Sequence, residues 1–575
     1  MSNAFFQNEG IAIARAIGEM WRYCAPALAL VILWRCIRPL LQFHHEPEIW
    51  AWLMMPDGTR RPVYHWENLL GCAPNSDIVL NYPTVSRSHA VLTRYDDGSW
   101  SLTDIGQKGA VCVNGTPIVA AAVRYGDKFS LGGVEFSLMP LTPAEMKKQK
   151  KDRTRPVDQS LPAVTLSLLT LFQFFAGLLL WMGCKTEYAP KVALYFAIFV
   201  GAQWMLFLLI RLSGRSAFEL ETIAFFLCTL GLSVIISDTP WEISKQVICI
   251  CAGIVLYLLI SLTMRDLHLA KLVRYAAAVG GILLLLANLV IGVEINGARN
   301  WIAIGSFTIQ PSELVKICFI FVGASTMDRV VTKRNVIYFI IYSGFICACL
   351  VFMNDFGAAL IFFVAFLVAA YLRSGSVATI GLAMVAVAFA AVIAVVYFGD
   401  HVQRRFNSWG RVWEVPMHGG YQQTRAMIRI AIGGLFGLGP GKGWLKAVAA
   451  SDTDLVFAFI SEEWGFLMAV MMVLTIAVPM IFVARSARMG RSSFYTIAAT
   501  AAAAVMCTQT ILNVFGTMDL LPLTGVTFPF VSNGGSSMLC CWGLLAFVKS
   551  ADVRQNAAVS VKLLKVEEGR NEKAV

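Results

Sequence analysis

The sequence predicts a polytopic α-helical membrane protein that carries a small soluble β-sandwich. Composition is the first reason: hydrophobic residues make up 57% of the 575-residue chain and charged residues only 14%. The second is that runs of roughly 20 apolar residues, long enough to cross a hydrocarbon core, recur after residue 158. The third is a change of character over 46–140, where short alternating runs (DIVL, HAVLTRY, SWSLTDI, VCVNG) are separated by turn-formers (PDG, APNS, DDG, NG). Five segments follow: a membrane anchor or interfacial helix at 1–45, the sandwich at 46–140, a basic linker at 141–158, a multi-span domain at 159–550 and a tail at 551–575.

Twelve spans are expected at about 160–182, 190–212, 218–237, 244–263, 272–292, 311–329, 335–353, 356–373, 376–398, 457–484, 494–517 and 534–549. A weaker thirteenth lies near 23–43 and carries Arg35 and Arg38. Arg15, Glu19 and Arg22 crowd its approach and no small-residue cleavage site follows, which argues against a cleavable signal peptide. Basic loops at 211–215, 263–274, 327–335, 372–376 and 484–491 alternate with loops of low positive charge such as 237–242 and 352–355. The positive-inside rule therefore puts the linker KKQKKDRTR, the sandwich and the C-terminus in the cytoplasm. Net charge of +11 is mostly this bias and gives no reason to expect a nucleic-acid partner. Fourteen cysteines without a CxxC and seven scattered histidines read as packing residues, with no metal framework.

One loop breaks the charge rule. Residues 399–455 fall on the outer side by parity yet carry Arg404, Arg405, Arg411, Arg425, Arg429, Lys442 and Lys446. Either the loop is charged for solubility or it meets an anionic substrate such as a lipid phosphate.

Over nearly its whole length the sandwich segment resembles a forkhead-associated (FHA) domain, through LLGCAPNSDIVL, VSRSHA, DIGQKGAVCVNGT, YGDKF and LGG. The resemblance implies that Ser86 contacts a phosphothreonine and that His89 braces the binding loops. Cys72 stands where the family has arginine, and Lys108 where it has asparagine. Losing the bidentate cation favours a phosphate-independent docking module for a cytoplasmic partner. Arg87 or Lys108 as substitute cations is the alternative.

Three stretches of the membrane part are too polar for span edges: NGARNWIAIGSFTIQPSELVK (296–316), NDFGAAL (354–360) and LLPLTGVTFPFVSNGGSSML (520–539). Pro311 fits a helix start, with Glu313 favoured by the dipole. Lys316, one turn deeper, needs a carboxylate: Glu313 at i,i+3, or one from another segment. Non-helical backbone at membrane depth survives where it is buried in protein or lines a wet cavity, so 520–539 is expected to be re-entrant or cavity-lining.

These pieces, with FNSW (406–409), GYQQT (420–424), IAIGGLFGLGPG (430–441) and TDLVFAFISEEWG (453–465), occur in order over about 290–550 and resemble the SEDS family (shape, elongation, division and sporulation; the FtsW, RodA and SpoVE proteins). The resemblance implies a glycosyltransferase that polymerises lipid II at the outer face of the cytoplasmic membrane, with a class B penicillin-binding transpeptidase as partner. A lipid-linked precursor flippase and a non-enzymatic scaffold are the alternatives. Five spans precede GARNW where the family has three, which preserves parity. Asn354 stands where the family usually has proline, and Ser408, Ala449, Ala450 and Asn533 also depart from the family pattern.

Joining a sugar hydroxyl to an anomeric carbon with a diphosphate leaving group calls for a base at the hydroxyl and positive charge at the diphosphate. The resemblance puts the essential aspartate at Asp454 and substrate contacts at Arg299 and Trp301. Lys316 is the candidate partner of Asp454, and Arg404, Arg425 and Arg429 are candidates for the diphosphate. Gln310, Ser312, Ser532, Ser536 and Ser537 could line the cavity. From the residues alone, Ser451-x-x-Asp454 reads as a capping-box-like helix start, with Asp454 at the third helical position. Glu462 and Glu463 lie roughly 12 Å further along at about 1.5 Å per residue and are expected, with Glu313 and Asp355, to support structure. No cofactor is identified; a magnesium or manganese ion bridging Asp454 and the diphosphate is compatible with the residues, though no ligand spacing marks it.

Overall fold

The computed structural model describes residues 2–42, 48–154, 161–374, 407–486 and 492–552, apart from short breaks at 75, 96–97, 107–109, 296–297, 306 and 327–332, together with isolated positions between 378 and 385. Most of the expected span at 376–398, Arg404, Lys108 and the tail beyond 552 lie outside the described residues.

Helix α1 (Ser2–Gln42) is long and apolar enough to cross a membrane over Gly18–Gln42. It packs on α3 (Pro162–Gly183): the Trp21 ring lies 5.6 Å from Phe172, and Arg35 Nε donates to Thr165 Oγ1 at 3.1 Å. This is a bundle helix, with the Arg35 charge finding a polar partner at helix depth.

The soluble part is a two-sheet sandwich, as the alternation predicts. One sheet orders β2 (Arg60–Val63), β1 (Ala51–Met54), β11 (Val134–Met139), β10 (Lys128–Leu131), β7 (Val111–Val113) and β8 (Thr116–Ile118). The other orders β4 (Ile78–Val79), β3 (Glu67–Gly71), β5 (Ala90–Arg94), β6 (Trp100–Asp104) and β9 (Ala120–Val123). Inward residues Leu53, Leu70, Leu92, Leu102, Phe129 and Leu138 form its own core. The start of β3 touches the membrane part: Glu67 Oε2 accepts from Ser492 Oγ at 3.4 Å and Ser493 Oγ at 3.0 Å. After α2 (Pro143–Thr154) the chain enters the bundle.

The bundle continues with α4 (Ala189–Leu212), α5 (Glu219–Asp238), α6 (Ile243–Thr263), α7 (Leu267–Ile291), α8 (Pro311–Thr326), α9 (Lys333–Phe352), α10 (Phe356–Ser374), α11 (Tyr421–Gly433), α12 (Val456–Glu463), α13 (Phe466–Ser486), α14 (Ser493–Thr517) and α15 (Gly535–Ser550). Helix α5 is the axis, buried from Glu219 to Ile236. Among the described residues, eight helices are long and apolar enough to cross a membrane. At one end, the Arg485 guanidinium donates to the Leu41 carbonyl beside the sandwich. At the other lie a small sheet of β12 (Val293–Ile295), β13 (Ala298–Ile304) and β14 (Phe307–Ile309), the 434–455 loop and the 518–534 loop.

The expected span at 457–484 is two helices. The chain breaks at Trp464–Gly465, where Gly465 has φ +93°, and a Cβ there would lie 2.3 Å from the Leu435 carbonyl oxygen. The glycine-rich loop crosses so closely that only glycine fits, and apolar periodicity carries no mark of that crossing.

Candidate active site

Asp454 does not sit inside a helix. Leu455 is the N-cap of α12 and makes no side-chain cap bond, so the capping-box reading is corrected. Ser451 Oγ instead donates to Asp238 Oδ2 at 2.6 Å, tying the turn to the end of α5. The turn that holds Asp454 is stitched to two neighbours. From α14, Asn513 Nδ2 (3.1 Å) and Thr517 Oγ1 (3.3 Å) donate to the Asp454 carbonyl, and the same Asn513 amide reaches the Val526 carbonyl at 2.9 Å. From the 518–534 loop, Ser532 Oγ donates to the Thr453 carbonyl at 2.6 Å and Asn533 N to the Asp452 carbonyl at 2.9 Å. A Cβ on Gly525 would stand 3.5 Å from Asp454 Oδ2, so backbone approaches the carboxylate there.

Two non-glycine residues beside the site take the left-handed conformation: Ala450 (φ 58°), whose carbonyl accepts from Asp454 N at 3.0 Å, and Phe530 (φ 64°). Such backbone costs about 1–2 kcal/mol per residue and is kept by surrounding packing. Asn354 is a third case at φ 60°. Proline, fixed near −65°, could not adopt that turn, which makes Asn354 a change of local geometry as well as of sequence.

A second polar cluster joins the first through α15. Gln310 N donates to Ser536 Oγ at 2.9 Å, and Thr527 Oγ1 and Ser537 Oγ lie 2.8 Å apart. Asp355 collects Asn300 Nδ2 (2.8 Å), Gln310 Nε2 (3.3 Å) and the Ala358 N–H (3.0 Å), which locks the GARNW strand to the start of α10. Arg299 turns its guanidinium to carbonyls at the end of α7, Gly292 at 2.8 Å and Val290 at 3.3 Å, and so fixes the β12–β13 hairpin. Trp301 is half-buried opposite Val293, and Ser312 is buried at the start of α8.

Of the two options for Lys316, Glu313 on its own helix or a carboxylate elsewhere such as Asp454, the structure shows the first: Nζ donates to Glu313 Oε1 at 2.6 Å, with both side chains buried. The i,i+3 spacing lets the ammonium find a carboxylate on its own helix, which removes the need for a distant one. Arg429 is likewise engaged, 3.5 Å from Glu462 Oε1 and 4.6 Å from the centre of the Trp444 ring. That pairing takes one of its nitrogens, and its assignment to a diphosphate stands as a proposal. Arg425, half-buried with its guanidinium 5.4 Å from the centre of the Tyr421 ring, keeps the assignment open.

Glu462 and Glu463 are buried and clamp the glycine-rich loop. Glu462 accepts from Trp444 N (2.9 Å) and Leu445 N (2.8 Å). Glu463 accepts from Gly441 N (2.9 Å), Gly443 N (3.1 Å) and Ser237 Oγ (2.9 Å). A third acid, Asp452, shares the Asn533 amide with Glu242, each at 2.8 Å. Burial, with the Glu242 charge adding to it, raises the Asp452 carboxyl above its usual range. Among the described residues no group of three or more histidine, cysteine or acidic side chains converges to hold a metal ion.

In the sandwich, Ser86 N donates to Nδ1 of the buried His89 at 3.0 Å, while Cys72 N and Ala73 N bond the Ser86 and Arg87 carbonyls at 3.0 and 3.1 Å. The loops are braced and Arg87 is exposed.

The sequence reading did not single out Asn513, Thr517, Asp238 or Glu242. Gln509, Asn513 and Thr517 at four-residue spacing in an apolar helix formed the available signal.

Residues 217–557 match the family model described as cell cycle protein (FtsW/RodA/SpoVE), and residues 68–132 match the FHA domain. The peptidoglycan glycosyltransferase RodA of Mycobacterium tuberculosis (strain ATCC 25618 / H37Rv) is 30% identical over 329 residues, covering 53% of this chain and 69% of the relative. The probable peptidoglycan glycosyltransferase FtsW of Escherichia coli O157:H7 is 30% identical over 278 residues, covering 46% and 67%. Stage V sporulation protein E of Bacillus subtilis (strain 168) is 27% identical over 262 residues, covering 43% and 69%. With a family match across more than half its length and an FHA domain ahead of it, the chain belongs to the FtsW/RodA/SpoVE family.

Proposed function

We propose that this chain is a multi-pass membrane glycosyltransferase that polymerises lipid II into peptidoglycan strands at the outer membrane face and releases undecaprenyl diphosphate. The observation that carries the reading is Asp454. It lies within the family match, on a non-helical turn held between α14 and the 518–534 loop, with its carboxylate beside Gly525. Asp454 acts as the base that takes the proton from the attacking sugar hydroxyl. The diphosphate leaves as an anion and needs positive charge, for which Arg425 is a candidate among the described residues. The hydroxyls of Ser532, Ser536 and Ser537, with Gln310, lie on the segments between the two polar clusters and are proposed to orient the sugars.

A class B transpeptidase is the proposed partner at the membrane. The FHA domain is proposed to lie in the cytoplasm and to dock a partner there without strict need of phosphothreonine, because Cys72 replaces the phosphate-binding cation.

The test is conversion of labelled lipid II to glycan strands by the purified chain, with and without the transpeptidase. Polymer lost on Asp454→Asn is the expected result. Translocation of lipid II without polymer would instead establish a flippase, and intact complex assembly without turnover a scaffold.

A further inference from the structure

Between α3 and α4, the hairpin among the additional helices that precede the GARNW strand, lies a cavity of about 430 Å³. Phe174, Gly177, Leu178 and Trp181 line it from α3, and Phe196 and Ala197 are among those from α4. Phe174, Trp181 and Ala197 are exposed, so the slot opens on the outside of the bundle. Gly177 gives it depth, since a Cβ there would stand 3.0 Å from the Phe196 ring.

The slot has a definite length and two unlike ends. Its α3 lining runs from Thr170 to Trp181, which at about 1.5 Å per residue is roughly 16 Å, or one half of a hydrocarbon core of about 30 Å. At the mid-depth end the lining turns polar, at a knot of hydrogen bonds. Gln173 Nε2 donates to Gln203 Oε1 (2.8 Å) and Thr229 Oγ1 (3.1 Å), and Trp204 Nε1 donates to Thr170 Oγ1 (3.0 Å). The other end opens at the α3–α4 turn, where Lys185 and Lys191 are exposed beside Glu187, and Trp181 stands at an interfacial position.

We infer that this slot is a binding site for one acyl chain of an anionic glycerophospholipid, with the headgroup phosphate held by Lys185 and Lys191. The dimensions select the occupant. A transmembrane helix crosses both leaflets and would run past the polar knot. An undecaprenyl chain is several times longer than one leaflet and would overrun the same stop. A single acyl chain reaches from the headgroup layer to mid-bilayer and ends there. Two lysines against one glutamate at the mouth favour an anionic over a zwitterionic headgroup.

The experiment is native mass spectrometry of the full chain in detergent, titrated separately with phosphatidylglycerol, phosphatidylcholine and undecaprenyl phosphate. Phosphatidylglycerol is expected to be retained preferentially. A basic side chain at a membrane surface is worth about 1 kcal/mol, so Lys185→Gln and Lys191→Gln should each weaken retention about fivefold. Ala197→Trp fills the slot from an exposed position and should abolish retention while the thermal unfolding midpoint stays that of the parent. Equal retention of phosphatidylcholine, displacement of phosphatidylglycerol by equimolar undecaprenyl phosphate, or full retention by Ala197→Trp would overturn the assignment.

Discussion

Replacing Glu463 by Gln barely changes its shape but reverses the chemistry of one of its atoms. Oε2 accepts from Gly441 N and Ser237 Oγ, and Oε1 accepts from Gly443 N. A carboxylate is acceptor-only, whereas a carboxamide offers one acceptor and one amino group. With the amino group at the Oε1 position, the Gly443 N–H faces a donor. With the amide turned over, Gly441 N–H does, although the Ser237 hydroxyl can rotate to accept. Either way one buried backbone donor is orphaned, at about 1–3 kcal/mol, and the surviving bonds fall from charged to neutral, at about 1 kcal/mol more. Removing a buried charge offsets part of this. The net expectation is a loss of about 1–3 kcal/mol, taken by the glycine-rich loop. Reversible unfolding of the purified protein in mixed micelles reads the stability, and lipid II polymerisation reads the site. Glu463→Gln within about 0.5 kcal/mol of the parent and fully active would refute the clamp.

Asn513→Ala removes both bonds of the amide that joins the Asp454 and Val526 carbonyls, and should lower the polymerisation rate about 10- to 100-fold, the scale of about 1.4–2.7 kcal/mol of lost positioning; an unchanged rate would separate α14 from the reaction. Lys316→Met strands the buried Glu313 carboxylate and should cost about 3–5 kcal/mol, whereas the Glu313→Met/Lys316→Met pair should recover most of it, read by the same unfolding assay. Asp452 titrates above its unfolded range, so its contribution to stability is fully present below the unfolded pKa and is lost as pH rises through the folded one. Asp452→Asn should therefore gain stability relative to the parent above the ordinary carboxylate range, and a parent–variant difference that does not change with pH would contradict this.

Composition and periodicity were enough for the membrane bundle and the sandwich because burial requirements repeat along whole elements. Local chemistry was harder. The Lys316–Glu313 pair could be read as one of two options, since a spacing of three shows what can meet but not what does. The break at Gly465 escaped because its cause, the crossing of 434–445, is distant in sequence. GARNW reads as a polar loop, and only its pairing with 293–295 and 307–309 makes it a strand. The setting of Asp454 depends on Asn513, 59 residues away, and on Ser532, 79 residues from the adjoining Thr453, separations at which no local pattern operates.

Helix α14 begins at Ser492, its N-cap, the hydroxyl that also meets Glu67 of the sandwich, and ends with Asn513 and Thr517 against Asp454. Its 25 residues make a rod of roughly 37 Å at about 1.5 Å per residue. One continuous element thus spans from the soluble module to the backbone of Asp454, with no proline inside it. A load applied to the sandwich enters this rod at its capped end. A rod without a joint delivers tilt rather than bending, so the far end moves in register with the near one.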